Sequence, residues 1–424
     1  MNNAAVKDPR STKPGYALIL LTLVYIVSFM DRQILAILQD DVRAEFGLSD
    51  TQLGLLTGFA FAFFYATLGI PIGRIADRAN RVVVLCVSLG LWSAMTILCG
   101  VAGSFLMLFM ARVGVGIGEA GGVPTSHSLL ADFFDPQGLP KAMGIYSAAT
   151  SIGAVSGLLV GGVVADLHSW RTAFIVAGIP GLVLVVILLL TLKEPPRGRY
   201  ASAHAPPAQK LSFFPALAAL SRVRIFWPTL VGNATAVAMT YAVWSWSPTL
   251  LGRAYDVARS EIVLAEIVII VGGGFTGILA GGWLTATLGR RDPAWRARIP
   301  MIGAFASVPP YIVAFAGGPM WVSVPFLALG SFFTLWTFAP SLALIQSSVA
   351  PDQRAFASSL ALFISNVLGM GLGPVLIGTM SDRFPGSGGA PLGLALSVFS
   401  LVGLLGGVAL YIAARAVKAD GQPA

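Results

Sequence analysis

The run SFLMLFMARVGVGIGEAGGVPTSHSLLA, Ser104 to Ala131, reads as a lipid-soluble helix that carries two ionisable residues, Arg112 and Glu119. It is long enough to cross a hydrocarbon core of about 30 Å. A second such run, Gly15 to Gln39, contains Asp31 and Arg32. An ionisable side chain at membrane depth costs several kcal/mol, so it is rare and faces a polar interior with a partner. Four of them in two helices suggest a site that handles charge within the bilayer, which points to transport.

The rest of the chain has the same character. Of its 424 residues 56% are hydrophobic and 11% charged, with a mean hydropathy of +0.80. A soluble domain carries roughly twice that share of charge. A chain in lipid must satisfy its backbone internally, as helices or a closed barrel, and these apolar runs are far longer than barrel strands. Twelve spans are expected, at 15–39, 52–76, 82–103, 104–131, 141–165, 170–192, 223–251, 261–288, 298–317, 319–348, 354–381 and 391–415. The first is too long and too charged for a cleaved signal peptide. Cys86 and Cys99 fall in one span and suit apolar packing rather than a disulfide or a metal; no cofactor is expected.

Basic residues set the orientation. With both termini cytoplasmic, twenty of the 27 Lys and Arg lie inside and only Arg43, Arg171, Arg253, Arg259 and Arg383 outside, with Arg32 and Arg112 in the membrane. The expected location is the plasma (inner) membrane. The pI of 9.7 then reflects contact with anionic lipid headgroups, not nucleic acid.

The longest connection, about Lys193 to Arg224, contains Pro195-Pro196 and Pro206-Pro207 and divides six spans from six. The expected organisation is an N-terminal bundle at 1–193, a cytoplasmic linker at 194–222 and a C-terminal bundle at 223–424. Weak repeats support duplication. Gly73 to Arg81 follows span 2, and Leu288-Gly-Arg290-Arg291 ends span 8. Gly161 to Asp166 ends span 5, and Gly378 to Arg383 ends span 11. Asp135-Pro136 and Ala350-Pro351-Asp352 follow spans 4 and 10. Six-plus-six repeats are the layout of transporters that rock about a midplane site.

The segment Gly73-Arg-Ile-Ala-Asp77-Arg78-Ala-Asn-Arg81 matches the signature of the major facilitator superfamily. Asp77 is placed to dock on the positive N-terminal end of span 11, with Gly73 permitting close approach and Arg78 and Arg81 completing a gate. At about 1.5 Å rise per residue, Asp31 and Arg112 are each about 12 Å below the outer surface, an arrangement that suits a pair. Glu119 is two turns deeper on the face of Arg112, near the midplane. Arg32 points toward Glu119's side or toward an anionic substrate; which arginine partners which acid stays open. Asp31 and Glu119 are the expected proton-exchanging acids, because burial raises a carboxyl pKa and a nearby arginine lowers it. The bland alternative is a static buried cluster.

Other patterns weigh less. Gly116 to Gly121 fits GxGxxG, but no strand precedes it. Gly114, Gly118 and Gly122, like Gly153, Gly157 and Gly161 and like Gly273, Gly277 and Gly281, suit close helix packing. Ser126, His127 and Asp132 lack an oxyanion hole, so no enzyme is expected. The Asn233-Ala-Thr235 sequon lies inside a span. The second half offers little intramembrane charge; Tyr241, Trp244, Trp246, Trp336 and Asn366, with Phe59, Phe63 and Tyr65 of span 2, are candidates for an apolar-aromatic cavity wall that suits an amphipathic solute.

Asp31-Arg32, Leu48-Ser49-Asp50 with Gly54-Leu55-Leu56, Ala76 to Arg81, Gly116 to Ala120 and Trp170-Arg171-Thr-Ala-Phe174 together resemble the spinster transporters, over the whole first half. The resemblance implies an all-α membrane protein of the major facilitator fold, acting as a monomer. It also implies alternating-access, proton-linked movement of lysophospholipids or sphingosine phosphates, with Asp31 and Glu119 in coupling. Val82 departs from the signature's second basic position, and the post-span-8 copy lacks the Asp. A drug or sugar-type facilitator, or a proton antiporter for small amphipathic solutes, is the alternative within transport. A membrane receptor or scaffold would need no balanced midplane charge.

Overall fold

The computed structural model describes residues 12–200, 213–350 and 353–420. Among them every regular element is helical. Eleven helices are long and apolar enough to cross a membrane. They are α1 (Pro14–Phe46), α2 (Asp50–Ala76), α3 (Arg81–Gly100), α4 (Phe105–Phe133), α5 (Leu139–Leu167), α6 (Trp170–Thr191), α8 (Arg259–Leu288), α9 (Trp295–Phe315), α10 (Met320–Ser348), α11 (Phe356–Ser381) and α12 (Ala390–Val417). Between α6 and α8 lies a further long helix, α7 (Phe226–Tyr255, 30 residues). It occupies the position of the seventh expected span but is more polar, because Thr229, Asn233, Thr235, Thr240, Ser245 and Ser247 interrupt its apolar residues.

Helix ends follow local chemistry. Ser49 and Gln52 form a capping box at the start of α2, Asn80 caps α3 through the Val83 amide (3.0 Å), and Ser104 and Ser169 cap α4 and α6. Each satisfies a backbone donor that the first turn leaves free. The chain leaves α1 through Gly47 at φ +63°, the left-handed conformation glycine tolerates. α1 runs well past the expected end at Gln39, because Asp40, Asp41 and Arg43 stay helical and ion-paired. Of the expected linker, residues 201–212 lie outside the described residues, and Phe213–Ser221 forms a short helix.

The chain forms two compact units, residues 1–34 with 67–206 and residues 35–66 with 207–424. α1 and α2 each contribute to both. In the first unit the glycine stripes act as expected. A Cβ on Gly153 would lie 2.5 Å from the Ile26 carbonyl oxygen and one on Gly157 2.5 Å from that of Met30, so α5 rests directly on α1. Gly118 meets the Trp92 backbone in the same way. In the second unit Gly273, Gly277 and Gly281 face the backbone of Ala328, Phe332 and Trp336, joining α8 to α10. Gly54 and Gly58 of α2 meet Pro374 and Gly371 of α11.

Two helices are broken at matching places. α4 runs Phe105–Glu119, 15 residues, turns at Ala120 and Gly121, and resumes at Gly122–Phe133. α10 runs Met320–Thr334, also 15 residues, turns at 335–337, and resumes at Phe338–Ser348. Discontinuous helices mark the binding regions of repeat-built transporters, and the first break falls immediately after Glu119.

Candidate functional site

The break in α4 and the glycine contact between α5 and α1 bring four charged side chains together inside the first unit. Glu119 is 1% exposed. Its Oε1 accepts from Ser28 Oγ at 2.5 Å and from Arg32 Nε at 2.7 Å, and the Arg32 Nη2 joins the same oxygen. Its Oε2 has no hydrogen-bond partner among the described residues. One turn of α1 separates Ser28 from Arg32, so both point to the face that receives Glu119. Arg32 also lies over the Phe29 ring, 4.7 Å from its centroid.

Asp31, on the adjacent face of α1, is fully buried. Its Oδ2 accepts from Thr96 Oγ1 of α3 at 2.9 Å, while Oδ1 has no partner among the described residues. Arg112, 2% exposed, donates to the Asp31 backbone carbonyl at 3.4 Å. The open question of pairing is thereby answered for Glu119: its ion pair is with Arg32. Both acids share one arrangement, in which one oxygen is held by donors and the other is bare.

Glu119 borders a cavity of about 10 Å³ lined also by Ser28, Trp92, Tyr25 and Tyr146, room for roughly one water. Tyr25 and Tyr146 stack at 4.4 Å, and His127 meets Tyr146 edge-on at 5.4 Å. His127 is thus engaged with an aromatic ring and Asp132 with Arg81, so Ser126, His127 and Asp132 form no hydrolytic triad.

The segment after α2 divides into an exposed and a buried part. Asp77 and Arg78 are exposed, and Arg197 donates to the Asp77 backbone carbonyl. A Cβ on Gly73 would meet Pro124 only at 3.9 Å, so within this unit no close backbone approach requires the glycine. Arg81 is 2% exposed and holds Asp132 at 2.5 Å, Glu194 at 2.8 Å and the Pro195 carbonyl at 3.1 Å. It fastens α3 to α4 and to the chain leaving α6.

The aromatic candidates fall in the second unit and are not equivalent. Phe59 stacks on Phe63 at 5.2 Å, and Phe63 is 37% exposed. Tyr65 stacks on Phe61 at 5.3 Å. Tyr241 and Trp244 are half-buried and meet edge-on at 5.9 Å. Asn366 is half-buried at the start of a wide helical turn, Asn366–Leu372. Trp336 packs on Phe332 and Phe333. Trp246 departs from the expectation of a cavity wall: it is fully buried, and its indole donates to the Pro374 carbonyl at 3.1 Å.

Two features escaped the sequence reading. Glu266 of α8 is fully buried, and neither carboxylate oxygen has a hydrogen-bond partner among the described residues. Its signal was an acid more than a turn inside the span, beyond Glu261 at the span's end and followed only by uncharged residues to Leu288. The other is an ionic clamp in the second unit at the α1–α2 end. Arg253 of α7 holds Asp40 at 2.7 Å and Asp50 at 3.0 Å, and Arg259 of α8 holds Asp41 at 2.8 Å. The Asp382 carboxylate accepts from the Asp50 and Thr51 amides at 2.9 and 2.8 Å.

Comparison with known proteins agrees with this fold and charge pattern. The model of the Major Facilitator Superfamily matches residues 21–374. An MFS-type efflux pump of Mycolicibacterium smegmatis is 33% identical over 402 residues, covering 94% of this chain and 92% of that protein. Protein spinster homolog 1 of Xenopus tropicalis is 28% identical over 426 residues, covering 95% of this chain and 81% of that one. A crystal structure of a bacterial homologue of the human lysosomal transporter spinster, inward-facing and unoccupied, superposes with a TM-score of 0.87 at 29% identity, over 98% of this chain and all of that one. The chain belongs to the major facilitator superfamily and, within it, to the spinster transporters. It is a multi-pass membrane transporter, with no catalytic family indicated.

Proposed function

We propose that this transporter moves an anionic, lipid-like amphipath of the lysophospholipid or sphingosine-phosphate type by proton-coupled alternating access. Asp31 and Glu119 are the proton carriers, and Arg32 and Arg112 are their charge partners or the substrate's. One observation carries the reading: Glu119 holds Arg32 through one oxygen while its other oxygen is bare, beside a cavity with room for a water. A proton delivered to Oε2 displaces no existing hydrogen bond, yet it neutralises the charge that holds Arg32. A freed Arg32 is then available to a substrate phosphate, which a guanidinium binds bidentately. Asp31, bare at Oδ1, offers a second place for the same exchange.

We infer for the wider machinery twelve spans with α7 as the seventh, bundles at 1–193 and 223–424, and a linker between. Both termini are cytoplasmic, the membrane is the plasma (inner) membrane, and the protein works as a monomer. Gly73, Asp77 and Arg78 serve as gating residues, with Arg81 as the fixed anchor of that corner. Phe59, Phe63, Tyr65, Tyr241 and Trp244 supply the apolar side of the substrate path.

A second reading, export of drugs or other small amphipathic solutes, is favoured by the likeness to the mycobacterial efflux pump. Flux of lysophosphatidylcholine and sphingosine phosphate into proteoliposomes under an imposed pH gradient, comparing wild type with Glu119→Gln, tests both. Gradient-driven lipid flux abolished in the variant, with binding retained, supports proton-coupled lipid transport. Gradient-driven flux of dye-like amphipaths without lipid flux favours the second reading. Lipid flux indifferent to the gradient and to the variant reduces the cluster to architecture.

A further inference from the structure

The turn joining α8 to α9 and the first turn of α9 are dense in arginine: Arg290, Arg291, Arg296 and Arg298. The positive-inside bias accounts for their number but not for how they are paired. Arg298 is neutralised by Asp292 at 3.1 Å and lies 5.4 Å from the centroid of the Trp295 ring. Arg290 and Arg296 have neither a carboxylate nor a side-chain hydrogen-bond partner among the described residues. Both line one cavity of about 510 Å³ between the ends of α8 and α10.

That cavity has two kinds of wall. Arg290 and Arg296 form a cationic rim, and Thr285, whose buried hydroxyl oxygen has no partner among the described residues, also lines it. Ala286, Ala343 and Leu344 supply a smooth apolar wall. Gly289 makes the rim compact: a Cβ there would sit 3.0 Å from Arg296 Cγ, so its absence lets the arginine stem fold across the end of α8. Two unneutralised guanidiniums with a spare hydroxyl suit a phosphate, which accepts from all three. The apolar wall suits an acyl chain, which a free phosphate lacks. Basic pockets between transmembrane helices on the cytoplasmic side have this chemistry for lipid headgroups.

We propose that the cavity at the α8–α9 end of α8 and α10 binds an anionic phospholipid of the cytoplasmic leaflet. Arg290 and Arg296 hold its phosphate, Thr285 donates to it, and its chain lies along Ala286, Ala343 and Leu344. This rests on the membrane orientation proposed above, not on the transported substrate or the proton coupling. The site lies in the second unit, whereas Asp31 and Glu119 lie in the first.

The test is the number and affinity of phosphatidylglycerol molecules retained by the full-length protein after delipidation, read by native mass spectrometry, with phosphatidylcholine as the neutral comparator. Wild type is expected to keep phosphatidylglycerol selectively. Arg290→Gln with Arg296→Gln should bind it about thirtyfold more weakly, the scale of two arginine–lipid attractions. Arg298→Gln, which removes the arginine already paired to Asp292, should bind as wild type does. Should the double glutamine variant misfold, Arg290→Lys with Arg296→Lys keeps the charge, and Thr285→Val alone should still weaken selectivity. Equal retention of both lipids by wild type, or undiminished selectivity in the double variant, overturns the proposal. So does inorganic phosphate that competes as strongly as the lipid, since the apolar wall would then add nothing. Labelling of an Arg291→Cys variant by an impermeant maleimide only after permeabilisation supports the orientation. Lost lipid selectivity with that pattern intact overturns the site alone; labelling from outside overturns the orientation reading.

Discussion

Two regions of the molecule are built from the same residue types and use them differently. At the α1–α2 end of the second unit, Asp50 uses both oxygens, on Arg253 at 3.0 Å and on Ser381 at 2.7 Å. Asp41 gives both of its oxygens to Arg259, and Asp382 gives both to the start of α2. In the middle of the first unit, Glu119 and Asp31 each leave one buried oxygen bare. A proton arriving at any of these three carboxylates meets an oxygen that already accepts a hydrogen bond. A proton arriving at the central pair breaks none. A fully satisfied charge network rigidifies, whereas a partly satisfied one is where a low-dielectric interior concentrates sensitivity.

The largest effect that contrast predicts is on coupling. Glu119→Gln fixes a neutral group where the charge must alternate, so gradient-driven flux should be abolished while the fold survives. The fold survives because glutamine can accept from Ser28 and Arg32 through its carbonyl oxygen. An intact pH response in that variant breaks the contrast at once.

Next comes stability. Arg253→Met leaves Asp40 and Asp50 without their shared cation and the buried Asp50 with only Arg43 at 3.8 Å, so the loss approaches the roughly 3–5 kcal/mol of a stranded buried charge. Arg32→Met strands one carboxylate that has a bare oxygen to protonate, so it should cost less and lose transport instead. Thermal unfolding of the two variants in one detergent decides the matter. Equal losses would mean that the central cluster is as static as the clamp.

Packing beneath the cluster gives a third, smaller effect. Gly157→Val would put a Cβ 2.5 Å from the Met30 carbonyl oxygen and 3.1 Å from Gln33 Cβ. Backbone cannot yield as a side chain does, and overpacking of this kind costs about 1–3 kcal/mol. Because α5 would be pushed off α1 beside Asp31, flux should fall along with melting temperature. A variant of normal stability and normal flux would show that the glycine contact does not set the site.

Acid should weaken the clamp through Asp382. Partial burial pushes its carboxyl up, but the Thr51 hydroxyl and the Thr51 and Asp50 amides outweigh burial and bring it below the ordinary carboxylate value. A depressed folded value means stability that is present above the unfolded value near 3.9 and lost as pH falls through the lower folded one. Asp382→Asn should therefore cost about 1 kcal/mol, the scale of a helix cap, and remove part of the acid sensitivity below pH 4. Unchanged acid unfolding would sink the assignment of that carboxylate as a cap for α2.

Much of this was legible in the chain because lipid imposes coarse rules: length, apolarity and basic bias fix spans without reference to packing. The glycine stripes were legible for the same reason, since close backbone contact requires glycine wherever it occurs. Asp31, Arg32, Arg112 and Glu119 stood out against an apolar background. What the sequence did not reveal was pairing, which depends on helix rotation: neighbours Asp31 and Arg32 point about 100° apart, and only the packed helices decide which meets Glu119. The clamp was hidden because Asp40, Asp41 and Asp50 sit where polar loop residues are ordinary. Trp246 looked like a cavity residue because an aromatic in a span carries no mark of whether its indole has found a carbonyl.

Glu266 is the place where the contrast between satisfied and unsatisfied charge can be sharpened last and most finely. It is fully buried, and the Ser247 hydroxyl beside it donates instead to the Val243 carbonyl at 2.6 Å. A buried polar group without partners costs about 1–3 kcal/mol, and an apolar side chain of similar volume costs less than about 1.5 kcal/mol in repacking. Glu266→Met should therefore leave the melting temperature unchanged or raise it by a few degrees. If exchange is confined to the first unit, gradient-driven flux stays at the wild-type level in that variant. A more stable protein that no longer responds to the gradient would instead place a second exchanging acid in the second unit, because an unsatisfied carboxyl that lowers stability and serves transport is retained for its proton.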